Sequence, residues 1–145
     1  MPLNAVIARL KDQCQGFRHI GGLADLDTAD NLPSLPPAAY AIPLGETAHE
    51  SPLVGDPRQW IEVDFAVILA LANRRDASGT QALAELPDWR RQVRAALHLW
   101  QPDSDALWYP GSLATEPAQY RSGRLMRLTD GVLWWAEEFS IRIFC

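Results

Sequence analysis

The sequence predicts an α+β fold: a single domain in which helices pack on one face of a mixed or antiparallel β-sheet and a β-hairpin forms the C-terminus. Residues 59–71 alternate with the period of a strand, and residues 86–100 repeat apolar side chains with the period of a helix. Residues 123–144 form two apolar segments around an Asp–Gly pair. Strands cluster around one main helix, which is typical of α+β domains. With 145 residues, the chain has the size of one domain, and we expect that domain to cover residues 1–145.

The N-terminal part is predicted to form a helix, a short strand and a weak second helix. Leu3–Cys14 repeats apolar side chains at helical spacing, and Gly16 follows as a helix stop. Phe17–Ile20 predicts a short strand, and Leu23–Asn31, rich in Asp and Ala, predicts a weak helix or a turn. The prolines of Leu32–Pro37 exclude regular structure inside a sheet.

The middle of the chain predicts two strands separated by a polar loop. Ala38–Leu44 predicts a strand whose end Pro43 confines to a sheet edge or a bulge. Gly45–Pro57 is the longest polar stretch, and a loop of this length is usually mobile or functional. Gln59–Leu71 is apolar along one face, whereas its other face is polar first and apolar later. We therefore expect this strand to enter a region covered on both faces before the polar turn Asn73–Gly79.

The main helix is predicted to begin at Ser78, where Gln81 completes a capping-box pattern. Its apolar stripe consists of Leu86, Trp89, Val93, Leu97 and Trp100. Pro87 must kink the helix or begin a second one, and Pro102 ends it. Asp103–Gln119 then predicts a long loop.

The C-terminus predicts a β-hairpin. Gly123–Thr129 and Val132–Phe144 flank Asp130–Gly131, a dipeptide that type I′ turns favour. Glu137 is the one polar residue on an otherwise apolar face of the second arm. Since Glu138 points to the opposite face, the two glutamates are not expected to act together.

Composition and charge exclude several classes of protein. The chain is 48% hydrophobic and 21% charged, which excludes disorder along its whole length. No apolar run is long enough to span a bilayer, and Met1–Gly16 lacks the features of a signal peptide, so we expect no membrane association and no export. A net charge of −5 gives no basic face for DNA. Cys14 and Cys145 have no disulfide or metal-binding spacing, and we interpret them as reduced thiols.

No catalytic motif is present in the sequence. His19, His49 and His98 lie far apart and have no metal-binding spacing. Glu62 and Asp64 share a strand face and offer paired carboxylates, but the simpler interpretation is the solvated end of that face. The sequence therefore predicts no enzyme activity, no catalytic residue, no metal site and no cofactor.

Two long strands with two apolar faces predict an oligomer. Trp134 and Trp135 point to opposite faces of the terminal arm, and we expect a chain of this size not to cover both faces alone. A closed homo-oligomer would cover them. The alternative is a well-packed monomer.

Nine segments, taken in order, resemble one protein family. They are Leu3–Cys14, Gly21–Leu26, Pro37–Glu46, Val63–Ala70, Asn73–Asp76, Val93–Leu97, Trp100–Pro102, Gly123–Leu125 and Leu128–Trp135. In this order they are similar to the tail terminator (minor tail, tail completion) proteins of long-tailed phages and prophages.

This resemblance implies an α+β structural protein that forms hexameric rings, without enzymatic activity or cofactor. The ring would cap the head-proximal end of the tail tube, stop tube polymerisation and face the head–tail connector. It would assemble in the bacterial cytoplasm and remain in the virion tail, with no membrane contact and no sequence-specific binding of nucleic acid. The alternatives are another neck or tail-completion protein of similar fold, or an unrelated enzyme or small-molecule-binding protein.

The expected contacts with neighbouring subunits or the tail tube lie in three places. The first is the turn after the longest strand, the second is the polar loop, and the third is the terminal arm. The candidate residues are Arg74, Arg75 and Asp76; Glu46, His49, Glu50 and Asp56; and Trp134.

Overall fold

One mixed sheet and three helices make up the part of the chain that the computed structural model describes, residues 3–31, 36–51, 54–73, 79–102 and 114–145. The helices are α1 (Asn4–Gln13), α2 (Leu23–Asn31) and α3 (Thr80–Leu97). The strands are β1 (His19–Gly21), β2 (Ala38–Ala48), β3 (Trp60–Ala72), β4 (Ala114–Thr115), β5 (Gln119–Thr129) and β6 (Val132–Phe144). The fold is α+β, as predicted.

The sheet has the strand order β1-β2-β3-β6-β4, and β5 also pairs with β6. β1 pairs with β2 in parallel, whereas the other pairs are antiparallel. The central pair, β3 and β6, stays in register from Trp60 opposite Phe144 to Ala72 opposite Val132. This long pairing places the terminal hairpin beside the strongest predicted strand.

The two faces of the sheet are covered differently. The first face, which carries Ile61 and every second residue to Leu71, packs against α1 and α3 in the larger core. The second face carries Trp60 and every second residue to Ala72. Its apolar half forms a smaller core, against which Leu26 of α2 packs. The expected change of β3 from a polar to a doubly covered environment is therefore confirmed.

The C-terminal hairpin is confirmed, including its turn. Asp130 has φ of 52° and Gly131 has φ of 73°, the two positive values that a type I′ turn requires. The first arm starts at Gln119, four residues earlier than predicted, and Thr115 and Ala114 form a short strand within the segment expected to be a loop. Residues 103–113 of that segment lie outside the described residues.

The predicted boundaries of the first strands were wrong. β1 covers His19–Gly21 instead of Phe17–Ile20. β2 continues through Gly45 to Ala48, so the first residues of the predicted loop belong to a strand. They do so because their backbone pairs with β3, although their side chains are polar or small. The register shifts between Pro43 and Gly45, which confirms the predicted bulge.

The start of α3 also differs from the prediction. Its N-cap residue is Gly79, with φ of 79° and no side-chain cap, and Ser78 lies outside the described residues. The buried Asn73 supplies an acceptor instead, since its Oδ1 lies 3.3 Å from the backbone nitrogen of Ala82. The helix then continues through Pro87 to Leu97, so the alternative of two helices is wrong.

One chain covers much more of the second face than expected. Ile68 is 1% exposed and Trp134 is 4% exposed. The expectation that a single chain does not cover both faces of these strands is therefore wrong for this half. The other half of the second face, around Glu62 and Asp64, is polar and only partly covered.

β5 is an edge strand with an irregular ladder. Register shifts occur between Tyr120 and Ser122 and between Leu125 and Arg127. Within the described part of the chain, no strand pairs with its outer edge. Three of its eleven residues are arginines: Arg121, Arg124 and Arg127.

Candidate assembly surfaces

A polar network covers the open half of the second face. Antiparallel pairing places Glu62 opposite Thr47 on one side and opposite Arg142 on the other. Glu62 Oε2 lies 3.4 Å from His49 Nε2, and its Oε1 accepts a 3.1 Å hydrogen bond from Arg121. Glu62 is therefore occupied by two partners, which argues against its pairing with Asp64 for acid–base chemistry.

The acidic pocket lies next to this network and has a volume of about 260 Å³. Its lining residues are Leu44, Gly45, Glu46, Thr47, Asp64, Arg121, Glu138 and Phe139. Burial, together with the negative charges of Glu62 and Glu138, raises the pKa of Asp64 despite the opposing charge of Arg121. The pocket thus has an excess of negative charge.

Glu138 and Arg121 are held in the acidic pocket by neighbouring strands. Glu138 accepts hydrogen bonds from Ser122 Oγ at 3.0 Å and from Arg124 Nε at 3.3 Å. Arg121 donates a 2.6 Å hydrogen bond to the buried Ser140. Because Arg121 also binds Glu62, its guanidinium is committed to partners outside Asp64.

Hydrogen bonds and an ion pair among Ser51, Asp56 and Arg58 hold the base of the segment between β2 and β3. Ser51 Oγ lies 2.5 Å from the carbonyl oxygen of Asp56 and 2.7 Å from that of Arg58, and its single O–H is shared between these two acceptors. The Arg58 guanidinium binds Asp56 with two nitrogens and lowers the pKa of that carboxyl to about 2. The exposed Val54 lies beyond this base.

Trp134 lies at the other end of the second face, in an apolar pocket of about 360 Å³. Its ring stacks beside Tyr40 with centroids 6.4 Å apart, and the Arg127 guanidinium lies 5.0 Å from the Trp134 centroid. The pocket is lined by Leu23, Leu26, Asp27, Ile68, Met126, Arg127 and Trp134. Leu23 and Met126 are exposed at its mouth, so a partner would reach them before Trp134.

A second charged region lies on the helical side of the sheet. Glu137 is fully buried, and its Oε1 accepts 2.5 Å hydrogen bonds from Arg90 Nε and Trp135 Nε1. Arg90 also donates to Tyr120 Oη at 3.0 Å. Burial opposes the charged form of Arg90, but the bonds with Glu137 outweigh it and raise the pKa of the guanidinium. A Cβ at Gly123 would lie 2.7 Å from Tyr120 Oη, so this position must remain small.

The sequence-predicted residues are not brought together in one site. His49 joins the polar network, Glu46 lines the acidic pocket, and Asp56 pairs locally with Arg58. Glu50 is exposed at the start of the segment between β2 and β3. Trp134 lies in a separate pocket, and residues 74–76, with Arg74, Arg75 and Asp76, are outside the described residues.

Sequence reasoning missed the roles of Arg90, Arg121 and Glu138. Glu137 is a polar interruption of an apolar strand face, and such an interruption signals a polar partner on the element packed against that face. Its partner comes from α3, 47 residues earlier, and local periodicity does not show such a contact.

The comparison with known families covers the complete chain. A sequence model described as "Phage tail terminator protein" matches residues 1–145. The chain belongs to the phage tail terminator protein family. No curated protein sequence matches the chain significantly.

Membership of the tail terminator family implies a structural component of the phage tail that assembles with other tail and head proteins. Within the described ranges, no helix is long and apolar enough to cross a membrane. In the same ranges, no group of three His, Cys, Asp or Glu side chains is arranged to hold a metal ion. Because members of this family assemble with other tail and head proteins, the charged and apolar surfaces are candidate contacts with proteins.

Proposed function

We propose that the chain is the subunit of a homo-hexameric ring that caps the head-proximal end of the phage tail tube. The ring stops tube polymerisation and offers the head–tail connector a surface for attachment. The observation that carries this proposal is the family match over residues 1–145. The subunit acts without enzyme activity or a cofactor.

The location of the protein follows from this role. The ring assembles in the cytoplasm of the bacterial host and stays in the virion tail. Six copies carry a formal charge of about −30, six times the −5 of one chain. Such a ring would let DNA pass through its channel without sequence-specific binding, since the negative charges of the ring and of the DNA repel each other.

The candidate contacts are the three places predicted from the sequence. The first place is the end of β2 and the segment between β2 and β3, where the contact of the Ser51 hydroxyl with two backbone carbonyls supports an ordered base. Its candidate residues are Glu46, His49, Glu50 and Asp56. An ordered surface loses less conformational entropy when it binds. The apolar pocket at Trp134 and the segment 74–76, which lies outside the described residues, complete the set.

Polymerisation of the tail tube protein tests the proposal. The tube protein is polymerised alone and with increasing amounts of this chain, tube lengths are measured by electron microscopy, and the mass of the free and tube-bound chain is measured by light scattering. We expect shorter tubes, each with a hexamer at one end. A chain that stays monomeric in both conditions and leaves tube length unchanged would exclude this function. Hexamers that bind tubes without affecting their length would point to another tail-completion role.

A further inference from the structure

The outer flank of α3 carries a groove lined by basic side chains, which we call the basic groove. Its volume is about 430 Å³, and its lining residues are Pro87, Arg90, Arg91, Arg94, Ala95 and His98. A basic concave surface is unexpected on a chain with a net charge of −5. Clustered positive charge on one face attracts a negatively charged partner and orients it.

The charges of the basic groove are unequally compensated. Arg90 binds the buried Glu137, and Arg91 pairs with Asp88 on the same helix. The Arg94 guanidinium lies 4.4 Å from the Tyr120 ring centroid, and no carboxylate in the described ranges forms an ion pair with it. Arg94 is exposed, so its charge is available to a partner.

His98 adds a second hydrogen-bonding group to the groove. Its Nδ1 lies 3.3 Å from the backbone nitrogen of Tyr120 and accepts that N–H. The neutral imidazole therefore carries its proton on Nε2, which can donate to an acceptor outside the chain. Arg94 and His98, one helical turn apart, are thus both donors for a carboxylate.

The acidic pocket on the other side of the sheet is the complementary surface. Glu46, Asp64 and Glu138 line it with Arg121 as the one basic side chain among its lining residues. Within the described ranges, Asp64 has no hydrogen bond or ion pair, whereas Arg121 is held by Glu62 and Ser140. Asp64 therefore feels the charge of Arg121 but forms no direct ion pair in the described ranges, and Arg94 likewise forms no ion pair with a carboxylate there.

The two surfaces cannot meet within one chain. Asp64 lies on the second face of the sheet, and α3 packs against the first. A contact between the basic groove and the acidic pocket must therefore join two molecules. Each molecule would contact one neighbour through its basic groove and another neighbour through its acidic pocket. Such head-to-tail contacts close into rings when the rotation between neighbours permits it.

We propose that the basic groove of one chain lies against the surface around the acidic pocket of a second copy. In this contact Arg94 faces Asp64 of the neighbour. The proposal rests on the ring described above and assigns the contact between its subunits. Copies that each carry a net charge of −5 repel one another overall, so a local pairing of opposite charges favours one orientation of approach.

Charge reversal and its rescue test this contact in the full-length chain. Association is measured by light scattering, with and without tail tubes, for the wild type and for Arg94→Glu, Asp64→Lys and the double variant. We expect each single reversal to weaken association at least about tenfold, because it places like charges together. The double variant should recover to within about threefold of the wild type, since the pair is exchanged and retained.

Two controls separate folding from association. Arg18→Glu changes the net charge by the same amount as Arg94→Glu but lies on neither surface, and it should associate like the wild type. Asp64→Asn keeps the size of the side chain and should weaken association even if Asp64→Lys fails to fold, which circular dichroism would reveal.

Failure of the Arg94–Asp64 contact and failure of the ring itself give different results in these experiments. A wild type that never forms rings, alone or on tubes, removes the ring itself. Wild-type rings that survive Arg94→Glu and Asp64→Asn overturn this contact and leave the ring intact. Loss of tube binding by Arg94→Glu with unchanged self-association would also overturn it, because the groove would then receive the tube protein.

Discussion

Arg90 and Glu137 join α3 to the middle of β6 through an ion pair whose carboxylate has no exposed surface. Arg90 Nε donates a 2.5 Å hydrogen bond to Glu137 Oε1, and its guanidinium lies 4.8 Å from the Trp135 centroid. The side chain of Arg90 is 30% exposed, so solvent reaches one partner only. The Glu137 carboxylate therefore depends on Arg90 to compensate its charge, because solvent does not reach it.

We predict that Arg90→Met destabilises the fold by about 2 kcal/mol or more, because it leaves a buried carboxylate without its cation. Arg91→Met is the matched control, since Arg91 pairs with Asp88 and both side chains are more than 70% exposed, at 75% and 72%. Arg91→Met is expected to lower the free energy of unfolding by less than about 0.5 kcal/mol. Urea unfolding of both variants measures the difference, and equal losses would show that the buried pair has no special role.

The hairpin turn supports a second prediction. Replacing Asp130–Gly131 with Ala–Val should lower the free energy of unfolding by about 2 kcal/mol, since β-branched residues resist the positive φ of 73° found at Gly131. The control is Gly45→Ala, where an added Cβ has nothing within 4 Å. Thermal melting of both variants tests this, and an unchanged melting temperature for Ala–Val would contradict the turn assignment.

The two cysteines should differ in reactivity. Burial raises the pKa of the Cys14 thiol to about 11, whereas Cys145 is partly exposed. At pH 8 only about one Cys14 in a thousand is a thiolate, so iodoacetamide should label Cys145 alone in the folded protein. Mass spectrometry of a Cys145→Ser variant, before and after denaturation, provides the control. Rapid labelling of Cys14 in the folded variant would show that the N-terminal helix is not packed as described.

The Cys14 thiol also predicts the direction in which the stability of the fold changes with pH. Because the pKa of Cys14 is higher in the folded state, its contribution to stability is complete below the unfolded value of 9.0 and disappears as the pH rises through about 11. Stability measured from pH 8 to 11 should therefore fall less in Cys14→Ala than in Cys145→Ser, which keeps Cys14 and shares the general loss of stability in alkali. Identical profiles would contradict this assignment.

A further prediction comes from the sequence alone. Reversing the charges of Arg74 and Arg75 should leave the melting temperature unchanged and weaken assembly with the tail tube. These residues lie outside the described residues, so the prediction rests on their position after the longest strand. Each arginine is also reversed singly, and Arg18→Glu serves as the control that changes the net charge by the same amount as one reversal. Assembly at the wild-type level would remove this segment from the candidate contacts.

Local patterns were enough to predict most elements of the fold. Periodicity of two over Gln59–Leu71 identified β3 and its two environments, because burial on each face acts on every second side chain. Asp130–Gly131 identified the hairpin because few other dipeptides accept two positive φ values. The end of β2 was missed, since Gly45–Ala48 is held by backbone pairing and not by apolar side chains.

The candidate surfaces were only partly predictable. His49 and Glu46 were identified from their place in a polar segment, and the structure puts them near β3. The contacts of Glu62 with Arg121 and of Glu137 with Arg90 depend on strand register and on helix placement. Those are properties of the whole fold, and no short segment contains them.

The irregular outer edge of β5 has a consequence for the free protein. Register shifts at two places and three arginines make this edge a poor template for the backbone of another strand. Amyloid-like stacking of many copies, which needs a flat and uncharged strand, is therefore disfavoured.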